Sequence, residues 1–227
     1  MKKSLLLLSI LSFLFLPHAA GATVLTFGDS VKYWNTWTSG RYDNRRDTIG
    51  VPNVTGGNAQ VNSGDLSEVN IFYTGYNSLV EAGDLFIDVG SNLWWDYVLT
   101  SEGNIYDFTG DPFSALKGKN DYRYEITTVW PGYDIRNNHP YALNDTGLTP
   151  TGTYTFSGFN GGGSVNFSDF SIFVGEVFTL GFGPTCANDV IYEKVAAPVP
   201  EPATLLLLGS GLIGLAGFRR KKTAKNS

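Results

Sequence analysis

The chain has 227 residues, 14% of them aromatic, with 16 basic and 21 acidic side chains. Residues 23–199 hold nine of the basic and 20 of the acidic ones, a net charge of −11, which excludes a nucleic-acid binder because that function needs a basic footprint for phosphates. Cys186 is the only cysteine, so no intramolecular disulfide forms, and a segment of this length buries enough surface to fold without one or a structural metal.

Residues 1–22 carry the three parts of a secretion signal. Lys2 and Lys3 come first, an apolar run covers 5–16, and Ala20 and Ala22 occupy the cleavage positions, which places the cut between Ala22 and Thr23. The apolar run is short for a membrane span, and the lack of a nearby cysteine excludes a lipid-modified N-terminus.

From Thr23 onward the periodicity is that of strands. Runs at 23–27, 69–73, 85–89, 93–100, 122–129, 151–156, 164–173, 177–182 and 190–195 are short and rich in aromatic or β-branched residues. Between many of them lie turn signals such as Gly56-Gly57, Gly90-Ser91-Asn92 and Gly161-Gly162-Gly163. The pattern predicts an all-β domain over 23–199, a β-sandwich or jelly-roll-like arrangement. Within 83–108 the runs suggest an antiparallel meander. Alternation puts Leu85, Ile87, Val89, Leu93, Trp95, Tyr97 and Leu99 on a core face and Phe86, Asp88, Trp94, Asp96 and Val98 on the other.

That second face is the sharpest binding candidate. Phe86 and Trp94 would stack on sugar rings while Asp88 and Asp96 accept hydroxyl hydrogen bonds; ordinary packing beneath a loop or second sheet is the competing reading. Asp84, Asp88, Asn92 and Asp96 offer the oxygen ligands that calcium takes, but their spacing matches no EF-hand, and solvated carboxylates are the better account, so no metal is expected. Cys186 and His139 form the one thiol and imidazole pair of the domain, with nothing local to support catalysis, so no catalytic residue, cofactor or enzymatic activity is expected. Twenty carboxylates furnish pairs at any distance, so a glycosidase pair carries no signal.

The C-terminal end begins with Pro200, Glu201 and Pro202, continues through an apolar stretch at 203–218, and closes on Arg219, Arg220, Lys221 and Lys222. Sixteen helical residues reach about 24 Å, a marginal transmembrane helix, and the basic cluster would hold residues 223–227 in the cytoplasm as a stop-transfer signal. This order of motif, apolar helix and basic cluster over 200–222 resembles the PEP-CTERM sorting signal of exported bacterial proteins. Residues 27–37, 47–58, 83–98 and 185–191 also resemble ectodomains of PEP-CTERM-bearing surface proteins, a group with no activity to transfer.

The resemblance implies an exosortase as processing partner, with Pro200, Glu201 and Pro202 as its recognition motif. It implies export through the inner membrane, a transient anchor there, and a final place at the cell surface or outside the cell. The function expected is that of a non-enzymatic surface or extracellular-matrix protein associated with biofilm or exopolysaccharide. A carbohydrate-binding module is the alternative, and a polysaccharide-acting hydrolase the second.

Overall fold

The computed structural model describes residues 21–31, 34, 52–75, 80–109, 122–124, 139–145, 147–159, 161–187, 189–196 and 211. The chain divides into two units, Met1–Ala196 and Ala197–Ser227, and the strands all belong to the first. Residues 1–20 of the expected signal, the Pro200-Glu201-Pro202 motif and the basic residues Arg219, Arg220, Lys221 and Lys222 lie outside the described residues. Among the described residues no helix is long and apolar enough to cross a membrane, and the expected 203–218 span falls outside them save Gly211.

The first sheet joins five antiparallel strands, β1 (Thr23–Phe27), β2 (Asn53–Asn62), β3 (Asp65–Thr74), β11 (Ser164–Phe173) and β10 (Thr155–Ser157), in that spatial order. Its strands alternate as a half-buried sheet must. Ala59, Val69 and Phe167 lie in register across β2, β3 and β11 and are buried, whereas their neighbours Asn58, Asn70 and Asn166 line up on the outer face. There the amides bond strand to strand: Asn70 Nδ2 donates to Asn58 Oδ1 at 3.0 Å and Asn166 Nδ2 to Asn70 Oδ1 at 2.8 Å.

Strand β2 was not among the expected runs, because Gly56-Gly57 reads as a turn. In the fold these glycines sit mid-strand at a bulge between Val54 and Gly56. Gly56 has φ +108° with the Phe27 carbonyl against its Cα, a position closed to any side chain.

The second sheet joins six strands, β13 (Ile191–Ala196), β12 (Val177–Phe182), β4 (Leu85–Val89), β5 (Tyr97–Leu99), β6 (Asn104–Asp107) and β9 (Gly152–Thr153). β7 (Tyr122–Tyr124) and β8 (Pro140–Leu143) form a separate hairpin. Phe167 of β11 meets Phe182 of β12 edge-on at 6.1 Å, so the apolar faces of the two sheets look at one another. At one side the chain passes from β9 to β10 through Tyr154 alone. At the other, Ser30 after β1 donates its N–H and hydroxyl to Glu193 of β13, at 3.1 and 2.8 Å.

Unlike the first sheet, the second is covered on both faces. Phe86, Val98 and Tyr106 join Trp34, Trp95, Tyr122, Leu143, Ala187 and Val190 in a core cluster behind it, and the hairpin supplies two of these. This is why β4 is buried at four successive positions, Leu85, Phe86, Ile87 and Asp88. Gly181 in the middle of β12 is part of the same packing: a Cβ there would lie 2.5 Å from the Trp95 ring, so the indole rests on bare backbone.

Register places several chain ends together. Thr23 pairs with Val61, Phe173 with Asp65 and Val177 with Ala196, while the Gly90 N–H donates to the Val177 carbonyl at 3.1 Å. The Gly64 carbonyl accepts from Val174 and Gly175 at 2.8 and 3.2 Å. One end of the stack therefore carries the start of β1, the exit of β13 after Ala196, the β11–β12 turn and the β4–β5 turn.

Candidate functional site: an aspartate-pinned turn

The four residues of the expected sugar-binding face do not share a surface. Phe86 is 0% exposed, with its ring 4.8 Å from Trp34 and 5.5 Å from Trp95. The stacking platform is thus corrected: alternation rightly placed Phe86 opposite Leu85, but a third layer from distant segments covers that side. Trp34 seals it, donating its indole N–H to the Ile191 carbonyl at 2.8 Å and its backbone N–H to His139 Nε2 at 3.1 Å. His139 Nδ1 lies 2.9 Å from the Pro140 carbonyl, which makes Nδ1 the protonated nitrogen and the imidazole a strut of the core.

Asp88, Asn92, Leu93, Trp94 and Asp96 build the β4–β5 turn instead. Strand β5 begins at Tyr97, four residues later than expected, because residues 90–96 are spent in a loop. Gly90, Ser91 and Leu93 all have positive φ, at 78°, 54° and 76°. For Leu93 such a backbone costs about 1–2 kcal/mol, so the surrounding bonds must impose it. Asp88 is the main clamp, its two carboxylate oxygens accepting from the N–H groups of Asn92 and Leu93 at 2.9 and 2.8 Å. Asp96 Oδ2 accepts from the Val89 N–H at 2.7 Å, Asn92 Oδ1 from the Trp94 N–H at 3.0 Å, and Thr179 donates its hydroxyl to Ser91 Oγ at 2.8 Å.

The calcium candidates separate accordingly. Burial raises the Asp88 and Asp96 carboxyls, opposed at Asp88 by its two N–H partners and at Asp96 by Val89. Asp84 stands at the start of β4, where Oδ1 accepts from Ser101 and Oδ2 from Leu143, at 2.9 and 2.8 Å. Its oxygens face backbone N–H groups, and Asp84, Asp88 and Asp96 do not converge on one point. Among the described residues no three His, Cys, Asp or Glu side chains gather as metal ligands do. Burial lifts Asp84 to about 7 against the pull of those N–H groups and of Arg123.

The turn exposes Asn92 together with two apolar side chains. Leu93 is 60% and Trp94 45% exposed, and Phe173, at the same end of the stack, is 66% exposed. Sequence reasoning placed Leu93 in the core, and the signal that could have moved it was the Gly90-Ser91-Asn92 turn extending one step further. It missed Asp189 altogether, a buried carboxylate that accepts from the Val54 N–H at 2.6 Å and ties β2 to the loop before β13.

Comparison with known families finds that residues 198–221 match the PEP-CTERM protein-sorting motif. The resemblance drawn from Pro200, Glu201, Pro202 and the basic cluster is thereby upheld, and the motif indicates an exported protein handled by exosortase-type machinery. Searches of curated proteins and of solved structures returned no match.

Proposed function

We propose that this chain is a non-enzymatic surface or extracellular-matrix protein, exported, held briefly in the inner membrane by its tail, and then passed to the cell surface by an exosortase. The observation that carries the reading is the sorting motif at 198–221. In this scheme Pro200, Glu201 and Pro202 are read by the exosortase, residues 203–218 span the bilayer, and Arg219, Arg220, Lys221 and Lys222 arrest transfer. The working part is the acidic β domain, which acts in biofilm or exopolysaccharide association.

A structural role for the domain is supported by how its reactive groups are used. Asp84, Asp88, Asp96 and Asp189 each hold backbone N–H groups, and both His139 ring nitrogens face backbone partners. Carboxylates so engaged stabilise loops. Replacing Pro200, Glu201 and Pro202 by Ala should leave export intact and abolish tail removal, read as the mass of the protein recovered from membrane and surface fractions. Tail cleavage at the normal rate would reject the sorting scheme. Gene deletion should reduce biofilm or polysaccharide retention, and unchanged levels of both would reject the matrix role.

A further inference from the structure

We infer that the outer face of the five-stranded sheet binds an uncharged polysaccharide, laid along β3 over a ladder of locked amides with a phenyl ring at each end. The inference deepens the exopolysaccharide reading above and rests on it. On this face Asn58, Asn70 and Asn166 stand in register across three strands, with Glu68 two residues before Asn70 on β3. Asn70 Nδ2 donates to Asn58 Oδ1 and to Glu68 Oε1, at 3.0 and 2.8 Å. Asn166 Nδ2 donates to Asn70 Oδ1 and to the same Glu68 oxygen, at 2.8 and 3.0 Å. Each of these two amides thereby commits both of its N–H groups within the ladder. Left over, among the described residues, are the Asn58 amide N–H groups, the second Glu68 oxygen and Asn166 Oδ1.

These remaining groups select the occupant. A sugar hydroxyl both donates and accepts, and here it meets fixed donors at Asn58 and fixed acceptors at Glu68 and Asn166 on one face. Because the ladder already holds the side chains, a ligand need not order them on binding. Phe72, the next outward residue of β3 after Asn70, is 39% exposed and has Gly56 and Ser164 as cross-strand neighbours, too small to cover its ring. A phenyl so placed offers the apolar surface on which the C–H face of a sugar ring packs. Beyond the buried Ile172, Phe173 is exposed on the same face, opposite Asp65 and against Gly64. The run of β3 from 65 to 72 sets the two phenyls about 23 Å apart at about 3.3 Å per residue, a track for several units of a linear chain. The charged residues of these five strands, Asp65, Glu68 and Asp169, are all acidic, and so is the domain as a whole. An anionic polymer is therefore repelled, and an uncharged one is not.

The test uses the full mature chain, residues 23–227, in detergent, run by affinity electrophoresis through gels holding dextran, laminarin or galactomannan as neutral polymers and alginate as the anionic one. The producing cell's own exopolysaccharide, split by anion exchange into neutral and acidic fractions, forms a second panel. The native chain should be retarded by at least one neutral polymer and not by alginate. Phe72→Ala should weaken that binding about tenfold and Asn58→Ala several-fold, whereas Trp94→Ala on the β4–β5 turn should leave it unchanged. Binding that survives both Phe72→Ala and Asn58→Ala would put the glycan elsewhere, with exopolysaccharide association intact. Retardation by alginate or the acidic fraction alone would refute the uncharged ligand. Binding to no polymer of either panel would reject exopolysaccharide association, and the face with it. A dimer in sedimentation without polymer that Phe72→Ala splits would give the face to a second copy of the chain. Circular dichroism checks the folding of both variants, and should one not fold, the other decides alone.

Discussion

Asp84 poses a contest between two physical effects whose outcome a pH series can read. The carboxyl is fully buried, which penalises its charge, yet it accepts two backbone N–H groups and lies near Arg123, which favour the charge. Burial prevails, lifting the group from 3.8 to about 7. A group raised in the folded state lends stability that is complete below its unfolded pKa and is lost as pH climbs to the folded one. At about 1.4 kcal/mol per pH unit, Asp84 should withdraw about 4 kcal/mol of stability between pH 4 and pH 8. Asp84→Asn removes this titration but leaves one N–H, of Ser101 or Leu143, without an acceptor, a cost of about 1–3 kcal/mol that does not vary with pH. Urea unfolding of both proteins across that range should therefore show Asp84→Asn gaining on the native chain by about 4 kcal/mol as pH rises, with other carboxylates cancelling in the difference. A difference that stays flat would mean that the carboxylate is ionised throughout, and that the N–H groups and Arg123 outweigh burial.

Other perturbations test the packing directly. Phe86→Ala should cost about 3–5 kcal/mol in urea or thermal unfolding, as truncation of a buried aromatic does; a near-neutral result would return Phe86 to the surface. Gly181→Ala forces a methyl toward the Trp95 ring and should cost about 1–3 kcal/mol, with a change in near-UV circular dichroism from the displaced indole. Leu93→Gly relieves a left-handed backbone at an exposed site, so it should raise stability by about 0.5–1 kcal/mol net of glycine's own entropy. A drop on that substitution would show that Leu93 packs more than its exposure implies.

What the sequence disclosed and what it hid follow from the range of each signal. Strands β1, β4, β11 and β12 begin and end where periodicity put them, because alternation and flanking turns are local. β2 stayed hidden because its glycines serve a bulge and a close approach to β1, which look identical to a turn until the partner strand is known. The reading of the Phe86 face as open to a ligand failed for a different reason. A period of two tells which residues share a face but not whether water or protein lies beyond it, and Trp34, Tyr122, Leu143 and Val190 come from four separate stretches. Of the candidate site, the sorting motif was legible because its order of Pro-Glu-Pro, apolar run and basic cluster is contiguous. The shared end of the stack was not, since Leu93 and Phe173 lie 80 residues apart and only strand register brings the β4–β5 turn and the end of β11 to the same end.

The acidity of the domain acquires a structural meaning from this arrangement. An exported protein with one cysteine cannot staple its loops covalently, and its buried and half-buried aspartates fill that office. Asp84 joins β4 to β8 and the β5–β6 turn, Asp88 and Asp96 brace the β4–β5 turn, and Asp189 fastens β2 to the approach of β13. A carboxylate serves two N–H groups at once, where a hydroxyl or amide oxygen commonly serves one, so it can fix a loop whose backbone no strand satisfies. The cost is charge in a low-dielectric place, and the raised carboxyls of Asp84, Asp88 and Asp96 record it. At Asp88 that cost maintains Leu93 in a left-handed backbone. Asp88→Asn should therefore loosen the turn more than it destabilises the sheets, raising amide exchange at Asn92 and Leu93 while leaving β12 and β13 protected.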